Sequence, residues 1–234
     1  RLIDPLDDAA WRAPTPCPGW DITDAVFHLA QTDEAAIASA EGRLGTLANG
    51  TLIDDSLADV DELAERMVVE ARSMMPAQVL ARWRVASDGM QRAFLEVAPD
   101  ARCQWVVGTF TARTLATTRL SEAWIHTGDV AAALGVEPEV DDRIAHIARL
   151  AWRTVPYSFA RAGLEAPAPV GFDLVLPSGA RLALGLGQEL PRRHGRPRDA
   201  ALQDPLDVVV GRELAHRRRL PLVDGRGQVA GRHG

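Results

Sequence analysis

The chain contains no lysine; its 26 basic residues are all arginine. With the abundant alanine, this reflects a GC-rich coding bias more than a binding device. Cysteine is nearly absent. Cys17 and Cys103 stand far apart, with no Cys-x-x-Cys pair, so no disulfide framework is implied and a cytoplasmic setting fits. Aromatic residues make up only 5% of the chain. No apolar run approaches the roughly 18 residues a membrane-spanning helix needs, which argues against a membrane partner. Neither a signal peptide nor an initiating Met is present at Arg1-Leu-Ile-Asp-Pro5, which reads as a chain cut at its N-terminus. The net charge of −6 is unevenly spread: an acidic body precedes a basic part from Arg181 onward. That part has almost no aromatic side chains to stack bases and no reader motif, which argues against nucleic acid as a partner.

What is present is helical punctuation. Asp21 is a cap for a helix from about Ile22 to Glu41, stopped by Gly42. Its expected core stripe is Ile22, Val26, Leu29, Ala30, Asp33, Ile37 and Ala40. His28 lies roughly 140° from the centre of that stripe, among small neighbours that leave room for another helix. Before this helix, Asp8–Trp11 reads as a last helical turn, and Pro14, Pro16 and Pro18 force an extended loop. After the ambiguous residues 42–57, a helix is expected over about 58–74. Pro76 opens another to about Val97, with Leu80, Trp83, Ser87, Met90 and Phe94 on one side. Residues 98–110 read as a connection with a short apolar patch. A central helix over about 111–134, stopped by Gly135, is followed by one over about 141–162, kinked or interrupted at Pro156. The period then changes, and 170–184 reads as a hairpin turning at Pro177-Ser-Gly179. Beyond about Gly187, only 207–210 and 220–223 suggest strands. The Arg/Gly/Pro-rich text there reads as a disordered end or as out-of-frame translation. The expected domains are a helical bundle over 1–165 and a small α+β region over 166–234.

The central helix carries the chemistry. At about 100° per residue, Leu115, Glu122, His126, Asp129 and Ala133 form one stripe flanked by Ile125, Ala123 and Val130. An acid, an imidazole and a second acid between apolar residues is a costly arrangement unless something binds there. Glu122 and His126 at i, i+4, joined by His28 from another helix, would supply two histidines and a glutamate. Catalytic zinc uses three such ligands and keeps a fourth position open. Asp24 and Asp129, each one turn from a histidine, either orient the imidazoles or serve as helix-face and capping groups. Arg119 is placed to hold an acidic substrate or to pair with an acid of the bundle. Cys17 reads as structural, because no adjacent base or cation activates it. His146 reads as a helix-face residue, and His194, His216 and His233 join no constellation.

Taken together, Trp11-x-x-Pro-Thr-Pro-Cys-Pro-Gly-Trp20, Asp24-x-x-x-His28-Leu-Ala, Glu122-x-x-x-His126-x-x-Asp129-Val-Ala and Leu134-Gly135 resemble the mycothiol-dependent maleylpyruvate isomerase family of DinB/YfiT-like metal-binding bundles, an actinobacterial group. The resemblance covers about residues 5–185, including Arg143-Ile-Ala-His-Ile-Ala and the Pro-Ser-Gly hairpin. It implies a mainly α, up-up-down-down four-helix bundle with a small, incomplete α+β C-terminal part, binding zinc or another divalent metal through His28, Glu122 and His126. It also implies mycothiol as a cosubstrate and a small acidic or electrophilic substrate for isomerase or S-transferase chemistry, on a monomer or homodimer. The family's first bundle helix would lie largely upstream of residue 1, so a chain extended upstream is expected to be more stable. The contrasting expectation is a non-catalytic metal-binding or regulatory bundle.

Overall fold

Helix α1 (Ile22–Ala40) lies at the centre of the molecule. In the computed structural model, which describes residues 2–44, 60–106, 108–165 and 170–185, it is buried on nearly every side. The expected stripe is buried at Ile22, Val26, Leu29, Ala30 and Asp33, but Thr23, Asp24, Phe27, Ala35, Ala36, Ala38 and Ser39 are buried as well. A single-face pattern fails here because small residues on the other faces let neighbouring elements approach.

The start of α1 is set locally. The Asp21 carboxylate accepts the Asp24 N–H (2.9 Å), and the Asp24 carboxylate accepts the Asp21 N–H (3.3 Å), a reciprocal capping box. At the other end Gly42 supplies the left-handed turn, with φ of 70°, that a helix stop requires. Before α1, residues Ala10–Arg12 form one 3₁₀ turn, with the Ala10 N–H donated to Asp7 Oδ1, where the last turn of an α-helix was expected.

Helix α2 (Val60–Val68) passes into a 3₁₀ turn, Val69–Ser73, so the single helix expected over 58–74 is a shorter helix with a tightened end. Helix α3 (Pro76–Glu96) begins with Pro76 in its first turn, and Gln78 Oε1 accepts the Met75 N–H (2.9 Å). Val79 and Ala86 are buried, and Leu80, Trp83, Met90 and Phe94 pack at the edges of the two apolar clusters. The α3 side facing α1 is close: a Cβ placed on Gly89 would lie 2.9 Å from Ile37 Cδ1.

Residues 98–110 correct the sequence expectation. They contain a hairpin, β1 (Arg102–Trp105) and β2 (Gly108–Thr111), paired antiparallel with Cys103 opposite Phe110. Cys103, Trp105 and Phe110 turn inward onto Ala35, Ala36, Ala38, Leu115 and Leu150. Four-residue strands joined without an Asn-Gly or Asp-Gly turn leave too little alternation to read.

Helix α4 (Ala112–Leu134) follows directly, capped by the Thr111 side chain and ended by Gly135 at φ 66°. Helix α5 (Ile144–Arg161) starts later than expected and runs through Pro156 without interruption. The hairpin β3 (Phe172–Val175) and β4 (Arg181–Leu184) matches the expected one. It is tied to α5 by Trp152 Nε1–H donating to Val170 O (2.9 Å) and to the turn before α5 by Ser178 Oγ–H donating to Asp142 (2.6 Å). The fold is therefore mainly α, with four long helices and two small hairpins among the described residues. Among them no helix is long and apolar enough to cross a membrane. Most of the ambiguous stretch 42–57, and the strands suggested at 207–210 and 220–223, lie outside the described residues.

Because the capping box satisfies two otherwise orphaned N–H groups, Asp21→Ala should lower unfolding free energy by about 0.5–2 kcal/mol. A chemical-denaturation midpoint equal to that of the parent chain would show that the cap contributes nothing.

Candidate metal centre

Helices α1 and α4 bring three donors to one point. His28 Nε2 lies 3.6 Å from Glu122 Oε2, and His126 Nε2 lies 3.8 Å from the same oxygen. Both separations exceed a good hydrogen bond. They are close to the tetrahedral edge of about 3.4 Å that follows from metal–ligand bonds of about 2.0–2.1 Å. The donors therefore surround a cation-sized point without satisfying one another. The set is enclosed, with Glu122 and His126 buried and the His28 side chain 13% exposed. Two imidazoles and a carboxylate with this spacing fit a divalent metal.

The surroundings hold each donor in place. Asp129 Oδ2 lies 3.1 Å from His126 Nδ1, which fixes the ring and leaves Nε2 toward Glu122. His28 has no such support: its Nδ1 is buried and has no hydrogen-bond partner. Asp24, one turn away, directs Oδ2 to the Asp21 N–H and to Arg72 instead. Its Oδ1 is also buried without a hydrogen-bond partner. Trp20 covers the histidines, with its ring centroid 5.1 Å from His28 and stacked 5.9 Å from His126. Its indole N–H donates to Glu65 Oε2 (2.8 Å), and Arg72 links Glu65, Asp24 and the Gly19 carbonyl.

Arg119 is 3% exposed. It donates to Thr32 Oγ1 (2.6 Å) and to Asp33 Oδ1 (3.3 Å), forming a buried ion pair between α4 and α1. Burial opposes ionisation of Glu122, but the attraction of the nearby His28 ring and the charge of Arg119 outweigh it and hold the carboxyl well below its usual range. For His28, burial dominates over the attraction of Glu122 and lowers the imidazole pKa. The result is an ionised carboxylate beside a neutral imidazole, the protonation states in which each binds a metal.

Cys17 is placed where its sequence position gave no hint. The proline loop folds back over α4, and the thiol donates to Asp129 Oδ2 (3.3 Å). Only its nearness to Trp20 in the sequence could have signalled this. His146 is exposed on α5, and His194, His216 and His233 lie outside the described residues.

The helical core with this buried donor cluster defines a DinB/YfiT-like metal-binding bundle. The model of the mycothiol maleylpyruvate isomerase N-terminal domain matches residues 1–131, and the chain belongs to that family. Two relatives from Mycobacterium tuberculosis, the uncharacterized proteins MT0041 of strain CDC 1551 and Rv0036c of strain H37Rv, are each 32% identical over 199 residues. The match covers 85% of this chain and 76% of each relative. A crystal structure of a mutant of the mycothiol-dependent maleylpyruvate isomerase has the same fold, at 18% identity and a TM-score of 0.53. That similarity covers 77% of this chain and 72% of the other.

The charge states give a pH dependence. The unfolded chain protonates histidine near pH ~6.5 and glutamate near ~4.3, whereas folded His28 and Glu122 both resist protonation. Below those values the unfolded state binds more protons, so acid favours unfolding. The melting temperature of chelator-treated protein should fall as pH drops from about 7.5 to about 5.5, and His28→Gln should flatten that fall. A slope unchanged by the substitution would remove His28 as its source. Bound metal measured by elemental analysis should fall well below one equivalent in His28→Ala and to near zero in His126→Ala. Retention in both variants would exclude the three-donor site.

Proposed function

We propose that the chain binds a zinc ion through His28, Glu122 and His126 and uses it in thiol-dependent chemistry, as an isomerase or S-transferase with mycothiol as cosubstrate. The observation that carries this reading is the convergence of the three donor atoms, at 3.6 and 3.8 Å, inside a buried space between two helices. Membership in the mycothiol maleylpyruvate isomerase N-terminal domain family supports the choice of thiol. The same reading includes the up-up-down-down helix order.

A bound zinc supplies a Lewis acid that holds a coordinated thiol as its thiolate at neutral pH. The chain's own residues prepare for that. Glu122 contributes the single negative charge of the donor set, and the neighbouring His28 together with the buried Arg119 keeps it ionised against the cost of burial. Asp129 keeps the proton of His126 on Nδ1, so that Nε2 faces the site. Trp20 shields the two rings on one side, which lowers the local dielectric and strengthens the electrostatic interactions within. Arg119 reaches Asp33 and Thr32, so its charge acts on Glu122 from behind the donors. That placement favours a small electrophilic substrate over one held chiefly by its own negative charge.

The zinc-loaded protein, given mycothiol with maleylpyruvate and separately with a panel of electrophiles, distinguishes the outcomes. An isomerase converts maleylpyruvate while total thiol is conserved, and an S-transferase consumes thiol in proportion to product. Asp129→Asn should lower either activity by about 10–100-fold. Stoichiometric zinc without turnover of any substrate would instead mark a non-catalytic metal-binding protein.

A further inference from the structure

Cys17 takes no part in the chemistry above, yet its position is tightly set. Thr15 Oγ1 accepts the Cys17 N–H (3.2 Å), Trp20 O accepts the Thr15 N–H (2.9 Å), and Cys17 O accepts the Trp20 N–H (3.1 Å). Gly19, at φ 80°, makes the turn that closes this loop. The loop directs the half-buried sulfur at α4, where Sγ lies 3.3 Å from Asp129 Oδ2 and Asp129 Oδ2 lies 3.1 Å from His126 Nδ1. The sulfur, the ring nitrogen and the carboxylate oxygen all lie within 4.8 Å of one another.

We propose that Cys17, His126 and Asp129 form a second coordination set, for a thiophilic divalent cation, on the opposite nitrogen of the histidine ring used by the first. Bonds of about 2.3 Å to sulfur and about 2.0–2.1 Å to nitrogen and oxygen give tetrahedral edges of about 3.4–3.6 Å, within a few tenths of an ångström of the sulfur–oxygen and nitrogen–oxygen spacings of 3.3 and 3.1 Å. In the metal-free chain the same atoms are joined by hydrogen bonds, so the site is held in shape before the cation arrives. Binding exchanges one proton for the cation: the Cys17 thiol proton passes to solvent, the ring proton of neutral His126 is exchanged from Nδ1 to Nε2, and bonds to sulfur, nitrogen and oxygen form with no change of oxidation state. Thiolate distinguishes this set chemically, since the first offers only imidazole and carboxylate and is less selective for soft metals. A neutral imidazole presents one nitrogen lone pair at a time, so the two sets draw on alternative tautomers of His126. His126 and Asp129 are the groups that link this set to the first.

The test is titration of the Cys103→Ser protein with Co2+, followed by sulfur-to-metal charge-transfer absorption in the near ultraviolet. Cys103 is the only other cysteine and is buried in the core, so this background leaves Cys17 as the sole thiol. The band should appear in this background, persist in His28→Ala and vanish in Cys17→Ser. Its absence in the Cys103→Ser protein, with circular dichroism showing a native fold, overturns the proposal. In the unsubstituted chain, saturating Cd2+ should slow alkylation of Cys17 by iodoacetamide at least tenfold, read by mass spectrometry. Equal rates with and without Cd2+ overturn it equally. A full equivalent of zinc retained in His28→Ala, with the charge-transfer band intact, would fail the first site alone.

Discussion

The contact between α1 and α4 is the constraint on which the site depends. Two pairs define it: His28 with Glu122, and Asp33 with Arg119. Partners further along α1 lie further back along α4, so the two helices run antiparallel at this point. The Arg119–Asp33 pair is nearly excluded from solvent, at 2% and 6% side-chain exposure. A pair of this kind adds little net stability over well-packed apolar residues, but losing one partner costs about 3–5 kcal/mol because the other charge is left buried. The pair therefore acts mainly on register. Sliding α4 by one residue along α1 would separate the charges and also move Glu122 away from His28, so one interaction fixes the alignment that the donor set needs.

Around that register the polar groups form two layers. The inner layer is His28, Glu122 and His126. The outer layer consists of Arg119 acting on Glu122 and Asp129 on His126, with Trp20 over both rings. The outer layer is itself anchored, because Glu65 holds the Trp20 indole and Arg72 joins Glu65 to Asp24 at the start of α1. The capping box at Asp21 and the cover over the histidines thus share Asp24, and the end of a helix becomes part of the wall of the site.

Local chemistry was legible residue by residue. Asp21 marks the start of α1 and Gly135 the end of α4, while Pro76 opens α3, because caps and stops depend on neighbours within a turn. The Glu122–His126 stripe was equally readable, since i, i+4 spacing places two side chains on one helix face. His28 was different. Its residue number says nothing about which helix approaches it; its small neighbours left room for one and the ligand chemistry suggested α4, and the family resemblance implied the same donor set. The β1–β2 hairpin was missed because its strands are four residues long and their inward side chains have meaning only against α1 and α4.

Sequence alone determined where α1 and α3 begin, where α4 ends and which face of α4 carries acid and imidazole. Those properties follow from backbone dihedral preferences and from hydrogen bonds between residues a few positions apart. The tertiary structure decided what those faces meet. It set His28 against Glu122, buried Arg119 on Asp33, turned Asp24 toward Arg72 instead of the histidine, and folded the Cys17 loop onto Asp129. Each of these contacts joins residues from about 50 to more than 100 positions apart, and such contacts are selected by packing around α1, which no local pattern encodes.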